Sequence, residues 1–178
     1  MLDWLKNRLL KNYIVNNKKN RTKELISLRQ AKSIGIICTI ESEEEYKNIF
    51  SFFSKLQSEN KTVRLVGYIN ENTVPFYCLT QLTADYFCKK DLNWYGKPTM
   101  IQVNDFIDID FDMLIDFSTS AHTPLQLLLQ LSQAKFIVGA NSCSKEYYDF
   151  FIEDDVKNHA VLLNNIDIYS HKLMGEKL

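Results

Sequence analysis

Two runs, S-I-G-I-I-C-T at Ser33–Thr39 and T-V-R-L-V-G-Y-I at Thr62–Ile69, decide the fold of this chain. Short apolar and β-branched runs of this kind are typical of strands that are buried on both faces of a sheet. Between them, Ser42 and Glu45 have the S-x-x-E spacing that starts many helices. One apolar face of that helix is formed by Tyr46, Ile49, Phe50, Phe53 and Leu56. Residues 33–69 therefore predict a β-α-β unit.

The same alternation returns in the second half of the chain. Asp112–Phe117 and Lys135–Gly139 have the composition of buried strands, with a leucine-rich helix between them. Thr123 is predicted to cap that helix, because Pro124 suits its first position. Weaker patterns predict strands near Asp85–Cys88 and Tyr148–Ile152, a turn at Asp91–Pro98 and a closing helix at Val161–Met174. This alternation predicts an α/β fold, namely a single Rossmann-like, doubly wound domain with a mainly parallel sheet.

A basic segment precedes this domain. Residues 1–29 contain eight Lys or Arg side chains and two acidic ones, whereas the rest of the chain has a net charge of −7. Apolar residues at positions 2, 5, 9 and 13 recur with helical spacing. We therefore expect a basic amphipathic helical arm over residues 1–30, followed by the Rossmann-like α/β domain over residues 31–178.

The composition excludes several classes of protein. The chain has 178 residues, of which 46% are hydrophobic and 24% charged, as in ordinary globular domains. Because no uncharged apolar run approaches about 18 residues, no transmembrane segment is expected. Charges at positions 3, 6, 8 and 11 argue against a secretory signal and favour the cytoplasm. The four cysteines lack C-x-x-C spacing, so we expect reduced thiols and predict no metal site.

The loop after the first strand argues against nucleotide cofactors. It contains no glycine, and four glutamates crowd the start of the next helix, at positions 41, 43, 44 and 45. Carboxylates at that position repel a phosphate, and the chain has no G-x-x-x-x-G-K-[ST] motif. We therefore expect neither NAD nor FAD nor a P-loop nucleotide, and we predict no cofactor.

One edge of the predicted sheet is the candidate ligand site, because α/β proteins bind ligands at the carboxyl ends of their strands. The candidate residues are Asp116, Ser118, Ser120, His122, Asn141 and Lys145. An anion is expected to prefer the helix N-terminus after Ser120, with N–H donors from Leu125 and Gln126. The alternative is that these residues only cap helices and turns. No spacing requires a base beside Cys143, so no catalytic residue is assigned.

A second candidate region is an interaction surface on the basic arm. Its residues are Trp4, Lys6, Arg8, Lys11, Lys18, Lys19 and Arg21, and Trp94 in the predicted turn is a further candidate. A tryptophan beside a leucine stripe favours a protein groove as partner, with an anionic membrane surface or a nucleic acid as alternatives. The structural alternatives are that the helix packs on its own domain and that the aromatic residues of the turn cover the edge of the core.

Five segments carry a family resemblance: A-K-S-I-G-I-I (31–37), V-R-L-V-G-Y-I (63–69), K-K-D-L-N-W-Y-G-K-P (89–98), F-D-M-L-I-D-F (111–117) and L-S-Q-A-K-F-I-V-G (131–139). On these segments the chain resembles a family of short, uncharacterised proteins found in Bacteroidetes. The resemblance implies a cytoplasmic single-domain protein and supplies no activity. Residues 111–139 are also similar to the N-terminal Rossmann-like half of heptosyltransferase-type glycosyltransferases. That similarity implies a lone half-domain, without the second domain that holds the sugar nucleotide.

Two functions follow from these patterns. The first is a non-catalytic cytoplasmic binding or scaffold domain that docks through its basic N-terminal helix. The alternative is a small enzyme or ligand-binding domain that takes an anionic metabolite at the edge formed by residues 116–123 and 139–145. The two hypotheses differ in what the structure should contain. A pocket shared by Asp116, His122 and Lys145 favours the second, whereas a protruding helix favours the first.

Overall fold

The computed structural model describes residues 2–140, 142–153, 164–166, 168–169 and 172. Its centre is a sheet of six strands, all parallel, in the spatial order β3-β2-β1-β4-β5-β6. The strands are β1 (Ser33–Thr39), β2 (Thr62–Ile69), β3 (Ala84–Cys88), β4 (Met113–Phe117), β5 (Phe136–Gly139) and β6 (Phe150–Phe151). This is the doubly wound order of dinucleotide-binding folds, in which the chain reverses direction between β1 and β4. The predicted α/β fold is confirmed.

Helices cover both faces of the sheet. They are α1 (Leu2–Asn17), α2 (Glu43–Ser58), α3 (Ile101–Ile107) and α4 (Thr123–Leu131), with short 3₁₀ helices at Lys89–Asp91 and Ser142–Tyr147. The sequence did not predict α3. Of the predicted closing helix, the described residues 164–166, 168–169 and 172 are helical, and the rest lies outside the described residues. In the described part of the chain, no helix is both long and apolar enough to cross a membrane.

The ends of α2 show how local sequence sets the element. The Ser42 hydroxyl caps the first turn by accepting the Glu45 N–H at 3.2 Å. The Glu45 carboxylate bonds to the Glu41 N–H at 2.7 Å. At the other end Asn60 has φ +60°, and the next N–H, of Lys61, returns to the Leu56 carbonyl. This is the left-handed termination that closes many helices.

The start of α4 differs from its prediction. His122 occupies the N-cap position and makes no side-chain cap bond, so the prediction that Thr123 caps this helix is wrong by one residue. Thr123 already belongs to the helix, so Pro124 is its second residue, one position later than predicted. Because proline has no N–H, it can occupy the first turn without losing a backbone hydrogen bond.

Two apolar layers enclose the sheet. Alternate residues of β1 face opposite sides: Ile34, Ile36 and Cys38 pack under α2, and Ile37 packs toward α3 and α4. On the second side Phe106 of α3 and Leu128 of α4 complete the core. The interior is therefore built from both faces of every central strand, as in other parallel sheets.

The N-terminal segment lies along this body. Leu10 of α1 is buried against Leu127 and Leu131, so α1 packs on the outer side of α4. Downstream of α1, Ile26 and Ala31 are buried in the core. One side of α1 therefore packs on its own domain, which is the structural alternative given for this helix in the sequence analysis. The division of the chain at residue 30 stays a prediction, and these contacts fasten the preceding residues to the α/β body.

Candidate functional site

The crevice where the chain reverses, between the carboxyl ends of β1 and β4, is bridged by side chains. The Thr39 and Thr119 hydroxyl oxygens are 3.0 Å apart, and the Thr119 N–H donates to the Thr39 hydroxyl at 3.1 Å. The Thr119 hydroxyl donates to Glu41 Oε1 at 3.2 Å, which leaves the Thr39 hydroxyl as donor between the two threonines. A nucleotide phosphate at this position would meet a carboxylate. The crevice is therefore electrostatically unsuited to a nucleotide.

Asp116, near the end of β4, is fully buried. Its Oδ2 accepts the Tyr148 hydroxyl at 2.6 Å, and its Oδ1 accepts the Ser118 N–H at 2.7 Å. Burial raises the pKa of Asp116, and the bonds from Ser118 and Tyr148 offset part of that rise. Ser118 is itself buried. The carboxyl group that the sequence placed at this edge is therefore held inside the protein by its neighbours.

Gly139 explains how Tyr148 reaches Asp116. In the parallel pairing of β4 with β5, Gly139 stands opposite Asp116. The Tyr148 ring lies on this glycine, since a Cβ there would be 2.5 Å from Tyr148 Cζ. The absence of a side chain on β5 thus opens the path for the phenol. Tyr148 is a residue of this cluster that sequence reasoning missed.

His122 lies at another part of the same edge. Its Nε2 is 2.9 Å from the Ser120 hydroxyl, and its ring packs edge-on against Tyr68 of β2, with centroids 5.1 Å apart. Burial lowers the pKa of His122, while Glu41 acts in the opposite direction. The neutral imidazole is therefore favoured, and its charge contributes little to holding an anion at neutral pH.

The structure joins four of the predicted ligand residues in two pairs, Asp116 with Ser118 and Ser120 with His122. Lys145 is exposed, and its Nζ lies 4.6 Å from the centre of the Phe151 ring. Ser120 bonds to His122, whereas Asp116 bonds to Tyr148. Asn141 lies outside the described residues. Among the described residues, no hydrogen bond or ion pair joins Asp116, His122 and Lys145 to one another, and a metabolite site at this edge stays a prediction.

The N-terminus of α4 has fewer free donors than the sequence predicted. The Gln126 N–H bonds to the His122 carbonyl at 3.0 Å, as in any helix, so Gln126 was wrongly included among the donors. Pro124 has no N–H, and Glu41 lies close enough to act on the charge of His122. An anion would therefore meet a carboxylate from another loop here. Preferential anion binding at this helix end stays a prediction.

The outward side of α1 presents the predicted interaction residues. Trp4 is 64% exposed and Val15 is 77% exposed. Arg8 and Lys11 lie between them at helical spacing, and the Arg8 guanidinium is 5.4 Å from the centre of the Trp4 ring. Lys6 is half-buried, and its Nζ is 3.9 Å from Asp3. We call Trp4, Arg8, Lys11 and Val15 the outer face of α1.

Three of the basic residues after α1 are engaged by the body instead. Arg21 is paired with Asp149 at 2.5 Å and donates to the Ala134 carbonyl at 3.1 Å. Lys23 joins the same carboxylate at 2.9 Å, and Lys19 pairs with Asp108 at 2.9 Å. Lys18 is exposed. Arg21 is therefore an internal anchor, and no local pattern indicates that Asp149 is its partner.

The predicted turn at Asp91–Pro98 supports α1. Asn93 Oδ1 accepts the N–H groups of Tyr95 and Lys97, and Gly96 has φ +93°. Tyr95 packs with the Leu10 cluster, and Lys97 Nζ lies 4.2 Å from the centre of the Tyr13 ring. Trp94 stays 55% exposed. One aromatic residue of the turn thus covers α1, and the other is presented to solvent.

Comparison with known proteins places the chain in a family and supplies no activity. No curated protein and no solved structure matches it. The Bacteroidetes origin and the similarity to heptosyltransferase-type enzymes therefore stay predictions. The model of one family, described as a family of unknown function (DUF6913), matches residues 6–173. Because this match spans nearly the whole sequence, from α1 beyond β6, the chain belongs to the DUF6913 family.

Proposed function

We propose that this protein is a non-catalytic binding domain that docks on an acidic, partly apolar protein surface through the outer face of α1. The observation that carries the proposal is that α1 packs on the body with one side and exposes an aromatic residue on the other. Its inner side is fixed by Leu10, while Trp4 on the opposite side is 64% exposed. A large aromatic side chain displayed on a helix that the fold holds in place is a typical anchor of a protein interface.

The charge of this face favours a protein over a phosphate-rich partner. The outer face carries two cations, Arg8 and Lys11, next to Trp4 and Val15. Membrane surfaces recognised by charge call for clusters of about four to eight Lys or Arg residues. The basic residues Lys18, Lys19, Arg21 and Lys23 follow α1 and are not part of this face. A partner with a few acidic groups around an apolar pocket is the better complement.

The cytoplasm is the compartment that fits this proposal. The three buried cysteines, Cys38, Cys78 and Cys88, are free thiols. Burial raises the pKa of Cys78 to about 11, so this thiol stays protonated and unreactive at neutral pH. Free, protected thiols are usual in proteins of a reducing compartment.

The test first replaces Trp4 by a photo-cross-linking amino acid, which captures the protein that contacts this position. The captured partner is then purified, and its binding to the chain that retains Trp4 is measured. We expect the double variant Arg8→Glu/Lys11→Glu to weaken this binding at least about tenfold, because two favourable charge contacts become repulsive. The matched control is Lys55→Glu/Lys90→Glu, which makes the same change of charge at exposed positions elsewhere. The control should bind like the natural sequence.

Two outcomes would overturn the proposal. One is equal weakening by both double variants, which would indicate a non-specific effect of net charge. The other is binding of the natural chain to anionic lipid vesicles or duplex DNA with the same dependence on Arg8 and Lys11. That second outcome would assign the outer face to a membrane or a nucleic acid.

The alternative, an anionic metabolite at the edge formed by residues 116–123 and 139–145, has less support. Asp116 is buried with Tyr148, and Glu41 lies close to His122 and Thr119. Titration with phosphate, followed by NMR, tests this alternative directly. Signal shifts confined to residues 118–126 would favour it.

A further inference from the structure

A pocket of about 410 Å³ lies between the segment after α1 and the body of the domain. One wall is formed by Lys18, Lys19, Arg21 and Lys23. The opposite side is formed by the end of α4, by Ile137 of β5 and by the 3₁₀ helix at Ser142–Tyr147. Its volume falls within the range of small-molecule sites. The pocket is distinct from the outer face of α1 and from the edge that contains Asp116.

Charge is concentrated on the wall that precedes β1. Of the five residues of this segment that line the pocket, four are basic and the fifth is Asn20, and Glu146 is the one carboxylate among the lining residues. Asp149 and Asp108 neutralise part of this charge through their ion pairs. No carboxylate of the described residues pairs with Lys18. The wall therefore keeps a surplus of positive charge.

Hydrogen-bond donors are also in surplus. A lysine ammonium has three N–H donors, and the ion pairs of Lys19 and Lys23 are single contacts of 2.9 Å each. The Lys19 and Lys23 side chains are 59% and 71% exposed, so both can turn toward a ligand. Neither movement leaves a buried carboxylate unpaired, because Asp108, the partner of Lys19, is exposed and Asp149 has a second partner. Arg21, which is 12% exposed, keeps Asp149 paired meanwhile. The basic wall thus combines one fixed cation with three adjustable ones.

Part of the pocket lining, which we call its floor, is apolar. Leu129 and Ile137 are buried side chains of the core, and the partly buried Tyr147 adds an aromatic ring. Such a floor favours a ligand that has a planar or apolar part besides its charge. Inorganic phosphate alone would leave this surface uncovered.

We propose that this pocket binds a small organic phosphate monoester, with the phosphate against the basic wall and the organic part over Leu129, Ile137 and Tyr147. A doubly charged phosphate with three acceptor oxygens matches several ammonium donors better than a single carboxylate does. The inference goes beyond the proposed function, since it uses a surface that the outer face of α1 does not include.

The test is a titration of the isotope-labelled full chain with phenyl phosphate, followed by the backbone amide signals. We expect saturable shifts at Gln130, Ser132 and Tyr147. Phenyl phosphate should bind more tightly than either of its fragments, inorganic phosphate and phenol, because the pocket contacts both parts. Lys18→Glu should weaken binding by about tenfold, the effect of one lost charge contact and one new repulsion. Lys90→Glu makes the same change of charge at an exposed position that does not line the pocket. This control should leave the affinity for phenyl phosphate unchanged.

The proposal fails if Lys18→Glu binds phenyl phosphate as the natural chain does, or if the shifting amides lie on α1 or near Ser120 instead. Equal affinity for inorganic and phenyl phosphate would overturn the role of the apolar floor. Because Lys18 is exposed and has no ion pair with the described residues, its substitution should not unfold the protein. Loss of this binding leaves the cross-linking test at Trp4 unaffected, so the two proposals can fail separately.

Discussion

The hydroxyl of Tyr148 donates to Asp116 Oδ2 at 2.6 Å, which ties the segment before β6 to the end of β4. The two residues are 32 positions apart, and the strand between them, β5, contributes the glycine over which the ring lies. A carboxyl group at the carboxyl end of a central strand is a common position for catalysis in α/β proteins. In this protein the Asp116 carboxyl group bonds to Tyr148 and Ser118. The pair of Asp116 and Tyr148 therefore stabilises this edge of the sheet.

Tyr148→Phe should destabilise the fold in a pH-dependent way. Because burial raises the folded pKa of Asp116 above the unfolded value of about 3.9, its ionised form is penalised at high pH and the penalty disappears as pH falls through the folded pKa. The Tyr148 hydroxyl bonds most strongly to the ionised form. We expect the variant to lose about 1.5–3 kcal/mol at pH 8 and less near pH 4, measured by urea unfolding.

Tyr68→Phe is the matched control for this measurement. The Tyr68 hydroxyl donates to Asn70 Oδ1 at 3.3 Å, and an amide does not titrate in this range. Its loss should cost about 0.5–1.5 kcal/mol, with little change between pH 8 and pH 4. Parallel pH profiles for the two variants would contradict the ionisation of Asp116 as the source of the effect.

Gly139→Ala should be costly because of one specific contact. The new methyl group would lie 2.5 Å from Tyr148 Cζ, so the ring must move and its bond to Asp116 must lengthen. We expect a loss of about 1–3 kcal/mol in free energy of unfolding. In a Tyr148→Ala background the same substitution should cost much less, because the ring is gone. Additive losses in that double-mutant cycle would show that the two residues do not interact.

The fold was predictable where its cause is local. The bounds of β1 and β2 match the predicted Ser33–Thr39 and Thr62–Ile69, because each run is mostly apolar and stops at a polar residue, Thr39 in the first and Asn70 just after the second. The helix α3 was not predictable in this way. It has seven residues, Met100 at its N-cap makes no side-chain bond, and only Val103 and Phe106 are buried. Tertiary packing rather than local sequence fixes such a short helix.

The site was predictable only in part, for a similar reason. The rule for parallel sheets placed Asp116 at the end of a strand without any knowledge of its partners. Its partner Tyr148 was predicted to begin a strand at Tyr148–Ile152, whereas it lies between a 3₁₀ helix and a strand of two residues, Phe150–Phe151. The pairing of Arg21 with Asp149 spans 128 positions. Contacts of that range follow from the assembled sheet, and neither residue type nor spacing indicates them.

Acid should weaken the attachment of the segment after α1. Burial by itself would raise the pKa of Asp149, but hydrogen bonds from Arg21, Lys23 and the Ile137 N–H hold it below its usual range. A lowered folded pKa means that this carboxylate stabilises the fold above about pH 4 and that the contribution is lost as pH falls through the folded pKa. Arg21→Met should therefore cost about 1.5–3 kcal/mol at pH 7 and less at pH 2–3.

Lys19→Met is the control for that prediction. Lys19 pairs with Asp108 at 2.9 Å, but both side chains are more than half exposed. Exposed ion pairs contribute about 0–1 kcal/mol, so this variant should unfold at nearly the urea concentration of the natural sequence. A loss at pH 7 as large as that of Arg21→Met would indicate that burial of the Asp149 pair is not what matters.

Lys61 should stabilise the entry into β1 by holding three carbonyl groups at once. Its Nζ donates to the carbonyls of Leu28, Arg29 and Ala31 at 2.9, 3.1 and 2.7 Å, using all three ammonium protons. Lys61→Met keeps the length of the side chain and removes the donors. We expect a loss of about 1–3 kcal/mol in free energy of unfolding, together with faster hydrogen exchange at the Ala31 amide. Lys55→Met, at an exposed position of α2, should change stability by less than about 0.5 kcal/mol. Unchanged exchange at Ala31 in Lys61→Met would show that the turn before β1 does not depend on this ammonium.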